Sequence, residues 1–168
     1  MEQVVLLSQA GLMSVIAGWL ILGVRDNILY PHQNQRLTDM VLCMEAMAEE
    51  YPQFYAELSH RRVTEPTTQK LMFRLIVGVE LAVCGIMLIG ILGLLGAVIG
   101  AVPAERTQAL VLLGAFGFTM IWAAFLVAGN HFAYWLCHKE QQLTHYQMTL
   151  WGIGTMVFLV ASQSALTG

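Results

Sequence analysis

Residues 75–102 read LIVGVELAVCGIMLIGILGLLGAVIGAV and contain a single charged side chain, that of Glu80. At about 1.5 Å per residue, a helix of this length is longer than the roughly 30 Å hydrocarbon core of a bilayer. A helix also satisfies its own backbone hydrogen bonds, which is a requirement inside lipid. This stretch therefore predicts a transmembrane helix and places the chain among integral membrane proteins.

Three further apolar segments have a suitable length. One precedes residues 75–102 and two follow them, so residues 75–102 are the second of four segments in the chain. They are residues 4–24, 109–128 and 149–166. The short polar connections at 103–108 and 138–145 predict that the second, third and fourth segments are antiparallel neighbours. Residues 1–168 are then one integral membrane domain, and we expect an all-α fold built as a four-helix transmembrane bundle.

The extensive polar segment of the chain, residues 25–70, predicts a helical extramembrane cap between the first two spans. Apolar side chains recur there at helical spacing and predict an amphipathic helix over residues 37–51, which Pro52 ends. A second short helix is expected around residues 54–58. The apolar stripe is either the cap's own core or a surface that binds a partner protein, and its members are Met40, Met44, Met47 and Tyr51.

Small residues spaced four apart mark the helix faces that can approach closely in lipid. Such pairs occur in the first and second spans. Their members are Ser14 with Gly18, Gly93 with Ala97, and Gly96 with Gly100. These faces predict packing within the bundle, and homo-oligomerisation is the alternative.

Glu80 predicts a polar cluster, because a carboxylate in an apolar span needs a partner or a proton. The expected topology brings Arg25, Asn27, Asn130 and His131 to the same membrane face as Glu80. In one interpretation Glu80 accepts a proton or binds a cation, with His131 as its pH-sensitive partner. In the other, the cluster is a structural hydrogen-bond network that fixes the helix register.

The composition excludes several classes of function. The chain is 57% hydrophobic and 11% charged, with a formal net charge of −3, which argues against nucleic-acid binding. The three cysteines lack metal-site spacing, and no hydrolase, kinase or dinucleotide-binding motif is present. His131, His138 and His145 recur every seven residues, but the expected polar turn at 138–145 separates them. We therefore expect no enzyme activity, no cofactor and no metal.

The distribution of the basic residues predicts how the chain is oriented across the membrane. Seven of the eight lysines and arginines fall on the cap side of the expected topology, and Arg106 lies on the other side. The positive-inside rule then favours a cytoplasmic cap with both termini outside. The inverse topology stays open, because the cap is nearly charge-balanced and the first span has no basic flank.

The order of these features resembles a family of small bacterial integral membrane proteins, domain of unknown function 2165. The segments that carry the resemblance are VLCME, GVELA and AGNHFAYW, and their residues with the two preceding asparagines are Asn27, Asn34, Met44, Glu45, Glu80, Gly129, Phe132 and Trp135. The chain departs from the family pattern at Asn130, where an acid is usual, and at His131, where an aromatic residue is usual. The resemblance implies four helices, an inner-membrane location and cytoplasmic termini, and it brings no activity.

Two functions follow as expectations. The first is a non-catalytic protein of the bacterial inner membrane that binds another protein, as an accessory subunit of a membrane complex or as a self-protection factor against a membrane-acting toxin. The second is a small oligomeric proton-coupled transporter or channel that uses Glu80 and His131. The missing catalytic motifs and the glycine-rich helix faces favour the first.

Overall fold

A computed structural model describes the backbone of residues 1–167 and the side chains of residues 1–163. This described chain is helical and contains no strand, which confirms the predicted all-α class. Its elements, in order, are α1 (Glu2–Leu29), α2 (Pro31–Cys43), α3 (Glu45–Glu50), α4 (Pro52–Leu58), a 3-10 turn (Ser59–Arg61), α5 (Pro66–Val98), α6 (Ala104–His131) and α7 (Lys139–Thr167).

Three described helices, α1, α5 and α6, are long and apolar enough to cross a membrane. They contain most of the predicted spans 4–24, 75–102 and 109–128, although α5 ends at Val98 and α6 begins at Ala104. The predicted fourth span, 149–166, lies within α7, which does not qualify over its described part. The physical reason is the polar start of α7 and the polar residues spread along it. Side chains 164–166 of that span lie outside the described residues.

The long helices pack side by side. Helix α6 lies along both α5 and α7, and α1 lies along α5 and also contacts α7. Their shared core holds large side chains that are 0% exposed, including Met13, Met87 and Phe118. Outward apolar residues such as Leu92 and Val127 are 67% and 75% exposed, as expected for helices that face lipid.

Glycines set the close approach of α5 to α6. A Cβ atom added to Gly90 would lie 2.7 Å from Val111 Cγ1, and one added to Gly114 would lie 2.8 Å from Met87 Cγ. The two helices therefore touch through sites where side chains larger than hydrogen do not fit.

The predicted small-residue pairs divide into two groups. Gly93 and Gly96 face neighbouring side chains, since an added Cβ would lie 2.6 Å from Thr107 Cγ2 and 3.2 Å from Val102 Cγ2, respectively. Ala97 packs against the core. The remaining three leave room around them. Ser14 is exposed, and an added Cβ on Gly18 or Gly100 would meet no atom within 4 Å.

Residues 25–70, for which the sequence predicts a cap and which we call the cap, contain α2, α3, α4 and the 3-10 turn, and one helix boundary differs from the prediction. The expected helix 37–51 is interrupted at Met44, whose left-handed backbone (φ 57°) separates α2 from α3. Met44 and Met47 are both buried despite this break in the helix, and each is 2% exposed. The expected end before Pro52 is confirmed, because α3 ends at Glu50 and Pro52 begins α4.

The predicted turn at 138–145 is wrong. The chain turns at residues 132–138 instead, and Lys139 already begins α7. Phe132 and Ala133 of this turn are buried against Met44 and Met47 of the cap. The aromatic stretch FAYW, residues 132–135, therefore forms the first part of this turn, with Phe132 and Ala133 in one apolar cluster with the cap methionines.

Candidate functional site

Glu80 is held in a short chain of polar side chains. It lies on α5 with 6% of its surface exposed, and its Oε2 atom accepts a 2.9 Å hydrogen bond from Asn27 Nδ2 of α1. Asn27 Oδ1 in turn accepts a hydrogen bond from Asn34 Nδ2 of α2. Asn34 is exposed, so the chain connects a buried carboxyl group with the surface of the cap.

The other predicted members of the cluster have different surroundings. Arg25 is exposed and forms a 2.9 Å ion pair with Asp26. Asn130 and His131 are exposed at the end of α6, and the His131 ring lies edge-on to Phe132 with centroids 5.0 Å apart. None of these three is among the described contacts of the Glu80 side chain, so only Asn27 joins it.

The apolar stripe of the cap is largely interior. Met44 and Met47 lie in the cap core, whereas Met40 and Tyr51 are half-buried. The 132–138 turn covers the two buried methionines, and they offer no surface to a partner. Met44 and Met47 therefore lie in the core of the cap, whereas Met40 and Tyr51 keep part of their surface exposed.

A second cluster, which we call the aromatic cluster, consists of Trp122, Phe125, Tyr134 and His145. Ring centroids of Trp122, Phe125 and Tyr134 lie 5.6, 5.0 and 6.1 Å from that of His145. Burial lowers the pKa of His145 to about 4, so its imidazole is neutral at neutral pH. His145 precedes the apolar stretch 149–166 and lies outside the three candidate membrane helices.

Sequence reasoning missed the aromatic cluster because it placed His145 in a turn. The four residues come from α6, the 132–138 turn and α7, and no periodicity in the sequence connects them. Three of their polar atoms are buried without a hydrogen-bond partner among the described residues, namely Trp122 Nε1, Tyr134 Oη and His145 Nδ1.

A third polar group lies near the ends of the long helices that are away from the cap, and its hydrogen bonds connect three of these helices. Gln9 of α1 is 0% exposed; its Nε2 donates to Ser162 Oγ of α7 at 2.8 Å, and its Oε1 accepts from Gln108 Nε2 of α6 at 3.4 Å. The signal for it was available in the sequence, because Gln9 is a polar residue inside the apolar run 4–24.

An apolar groove of about 790 Å³ lies between α6 and α7 on the outer surface. Its lining side chains are all apolar: Ala109, Leu112, Leu113, Phe116, Met156, Val157, Val160 and Ala161. Within the described residues, no three histidine, cysteine, aspartate or glutamate side chains are grouped in a way that could hold a metal ion.

No curated protein and no solved structure matches the chain. The model of one protein family, described as a predicted small integral membrane protein, matches residues 5–162. This match covers α5, α6 and the cap, and it covers α1 from residue 5 onwards. The chain therefore belongs to the family of predicted small integral membrane proteins known as DUF2165.

Proposed function

We propose that this protein is a non-catalytic, four-span protein of the bacterial inner membrane that acts by binding another membrane protein. In this role it is an accessory subunit of a membrane complex or a self-protection factor against a membrane-acting toxin. The observation that carries the proposal is the apolar groove between α6 and α7.

The surroundings of α7 support a fourth span at 149–166. This helix lies along α6 and contacts α1, both of which are candidate membrane helices. Three of its polar side chains form hydrogen bonds within the bundle. Thr149 and Thr155 donate to carbonyls of their own helix, and Ser162 accepts from Gln9. Such internal satisfaction is what a lipid environment requires of polar groups.

The occupant that fits the groove is a transmembrane helix of the partner protein. The α6 wall places Ala109, Leu112, Leu113 and Phe116 at helical spacing, and the groove is open on the outer surface of the helices. A helix packs against such a surface by inserting its side-chain ridge into the groove. An occupant with polar groups along its length is disfavoured, because the lining offers them no hydrogen-bond partner.

Photocrosslinking in native membranes tests this proposal. A photoreactive amino acid replaces Phe116, which lines the groove and is 50% exposed, and a matched variant carries it at Leu92, which is exposed on α5. We expect one discrete protein adduct from the position of Phe116 and only lipid adducts from the position of Leu92. Mass spectrometry of the adduct identifies the partner and separates a complex subunit from a toxin.

If position 116 gave only lipid adducts, the result would contradict the proposal. An adduct with a second copy of the chain would also contradict it, since the groove would then serve a homo-oligomer.

A small oligomeric proton-coupled transporter or channel is the second candidate. The chain of hydrogen bonds from Glu80 through Asn27 to the exposed Asn34 favours it, although His131 is not part of that chain. Proton flux in proteoliposomes tests this candidate with Glu80→Gln, and Glu105→Gln is the exposed control. Flux that is lost only in Glu80→Gln supports transport, and flux equal to that of empty liposomes excludes it.

A further inference from the structure

A second groove lies where α6, the 132–138 turn and α7 meet, on the cap side of the long helices. Its volume is about 460 Å³, which is within the range of roughly 300–1,000 Å³ seen for sites that bind small molecules. We call it the interface groove, and six side chains line it: Leu126 of α6, Trp135 of the turn, and Lys139, Gln142, Leu143 and Tyr146 of α7. The four residues of α7 are spaced three and four apart, so they lie on one face of the helix.

Hydrogen-bond donors are concentrated in this lining. The Lys139 ammonium group and the Trp135 indole N–H can only donate, and the Gln142 amide and the Tyr146 hydroxyl can donate as well. None of these four side chains forms a hydrogen bond or an ion pair with another described residue. The groove therefore suits a ligand that carries several acceptor oxygens, since the donors can then bond to different atoms of one group.

The position of the interface groove matches the headgroup level of a bilayer. Helix α6 is a candidate membrane helix that ends at His131, and Leu126 lies on it five residues before that end. Trp135 and Tyr146 are 47% and 54% exposed, and exposed Trp and Tyr are enriched where a membrane meets water. A lipid bound here would place its apolar part beside Leu126 and its polar part beside Lys139.

Charge selects among the possible headgroups. Lys139 is the charged residue of the lining, which contains no acid. Burial raises the pKa of the Cys137 thiol, Glu50 raises it further and Lys139 lowers it, so both charges lie near this thiol. However, neither Glu50 nor Glu140, the residue that follows Lys139, lines the groove. A headgroup with its own ammonium group would therefore meet a like charge inside it.

We propose that the interface groove binds an anionic phospholipid of the cap-side leaflet, one with a phosphodiester and no ammonium group, as in phosphatidylglycerol. The phosphodiester oxygens accept hydrogen bonds from the donors of the lining, and Lys139 balances the negative charge. Leu126 and Leu143 contact the apolar part of the lipid, which a free phosphate ion lacks.

Photolabelling of the full chain in detergent tests the proposal, with a phosphatidylglycerol that carries a diazirine near the start of one acyl chain. We expect peptide mapping to find the adducts concentrated within residues 126–146. Lys139→Gln removes the positive charge and should lower this labelling several-fold. Lys70→Gln is the matched control, because Lys70 is the other lysine of the chain, is exposed on α5 and lies outside the groove. Labelling should be unchanged in it.

Competition distinguishes the possible occupants. Unlabelled phosphatidylglycerol should lower the labelling of residues 126–146 several-fold, whereas equal amounts of phosphatidylcholine or of inorganic phosphate should leave it unchanged. Equal competition by phosphatidylcholine would overturn the charge selection, and competition by inorganic phosphate would assign the groove to a free anion.

Equal labelling of wild type and Lys139→Gln would overturn the proposal as a whole. Gel-filtration profiles and thermal unfolding of each variant establish that the fold is intact. If Lys139→Gln is unstable, Trp135→Phe decides the result, because it keeps an aromatic ring and removes a donor of the lining. It should also lower the labelling several-fold.

Discussion

Asn27 Nδ2 lies 2.9 Å from Glu80 Oε2, and this hydrogen bond joins the end of α1 to α5. Asn27 is two residues before Leu29, where α1 ends, whereas Glu80 is fourteen residues after Pro66, where α5 begins. The bond therefore fixes how far α5 extends past α1 on the cap side. Since Asn27 also accepts from Asn34, the same amide connects both helices to the cap.

Replacing Asn27 should lower the stability of the fold, because the carboxyl group of Glu80 is buried. In Asn27→Leu, Glu80 loses its hydrogen-bond partner, and we expect a loss of about 1–3 kcal/mol in the free energy of unfolding. The double variant Asn27→Leu with Glu80→Leu should recover most of that loss, because no unsatisfied carboxyl group remains. Unfolding in detergent measures both, and additive effects of the two substitutions would contradict the coupling.

The Gln9 group should stabilise the side of the helices away from the cap. Gln9→Leu removes the hydrogen bonds to Ser162 and Gln108, and we expect a loss of about 1 kcal/mol, given roughly 0.6 kcal/mol for an average side-chain hydrogen bond between membrane helices. Ser8→Ala is the control, since Ser8 is exposed and bonds only within α1. Thermal unfolding equal to wild type in Gln9→Leu would show that the network contributes nothing.

Glycine substitutions should separate helix contacts from lipid-facing positions. Gly114→Ala forces a Cβ to within 2.8 Å of Met87 Cγ and 3.3 Å of Met87 Cα. We expect it to lower stability by about 1–3 kcal/mol through overpacking. Gly78→Ala, where an added Cβ meets nothing within 4 Å, should be neutral or slightly stabilising. Unfolding curves of the two variants compare them directly, and equal stabilities would argue against a tight α5–α6 contact.

Stability should fall in mild acid because of His145. Its pKa is about 4 in the folded chain, against about 6.5 in an unfolded chain. Between these values the unfolded state binds more protons, so the free energy of unfolding decreases as the pH falls from about 6.5 towards 4 and is unaffected by this group above that window. His145→Phe keeps an aromatic ring and should flatten the profile.

The control for that measurement is His32→Gln, at an exposed position. It should leave the pH profile as in wild type. An unchanged slope in His145→Phe would assign the acid sensitivity to another group.

Long apolar segments were predictable because the bilayer imposes a length and a composition on any helix that crosses it. The runs 4–24, 75–102 and 109–128 each correspond to a candidate membrane helix, and the predicted helix end before Pro52 follows from local geometry. Segment 149–166, predicted as the fourth span, lies in α7, whose described part is less apolar than the three candidate membrane helices.

The polar clusters were only partly predictable. A charge in an apolar run predicts a polar cluster at Glu80, and the expected topology brings Asn27 to it. The surroundings of Arg25 and His131 depend on side-chain directions that spacing does not supply. The aromatic cluster around His145 requires the turn at 132–138, which in turn depends on the cap covering Phe132 and Ala133.

The sequence by itself therefore determined that this is a helical membrane protein of its family, because hydrophobicity and length act locally along the chain. Only the tertiary structure decided which polar atoms meet. Asn27 and Glu80 are 53 residues apart, and Gln9 and Ser162 are 153 residues apart. Contacts at such separations follow from how the helices pack and where the turns fall, since burial of polar groups is set by all the neighbours at once.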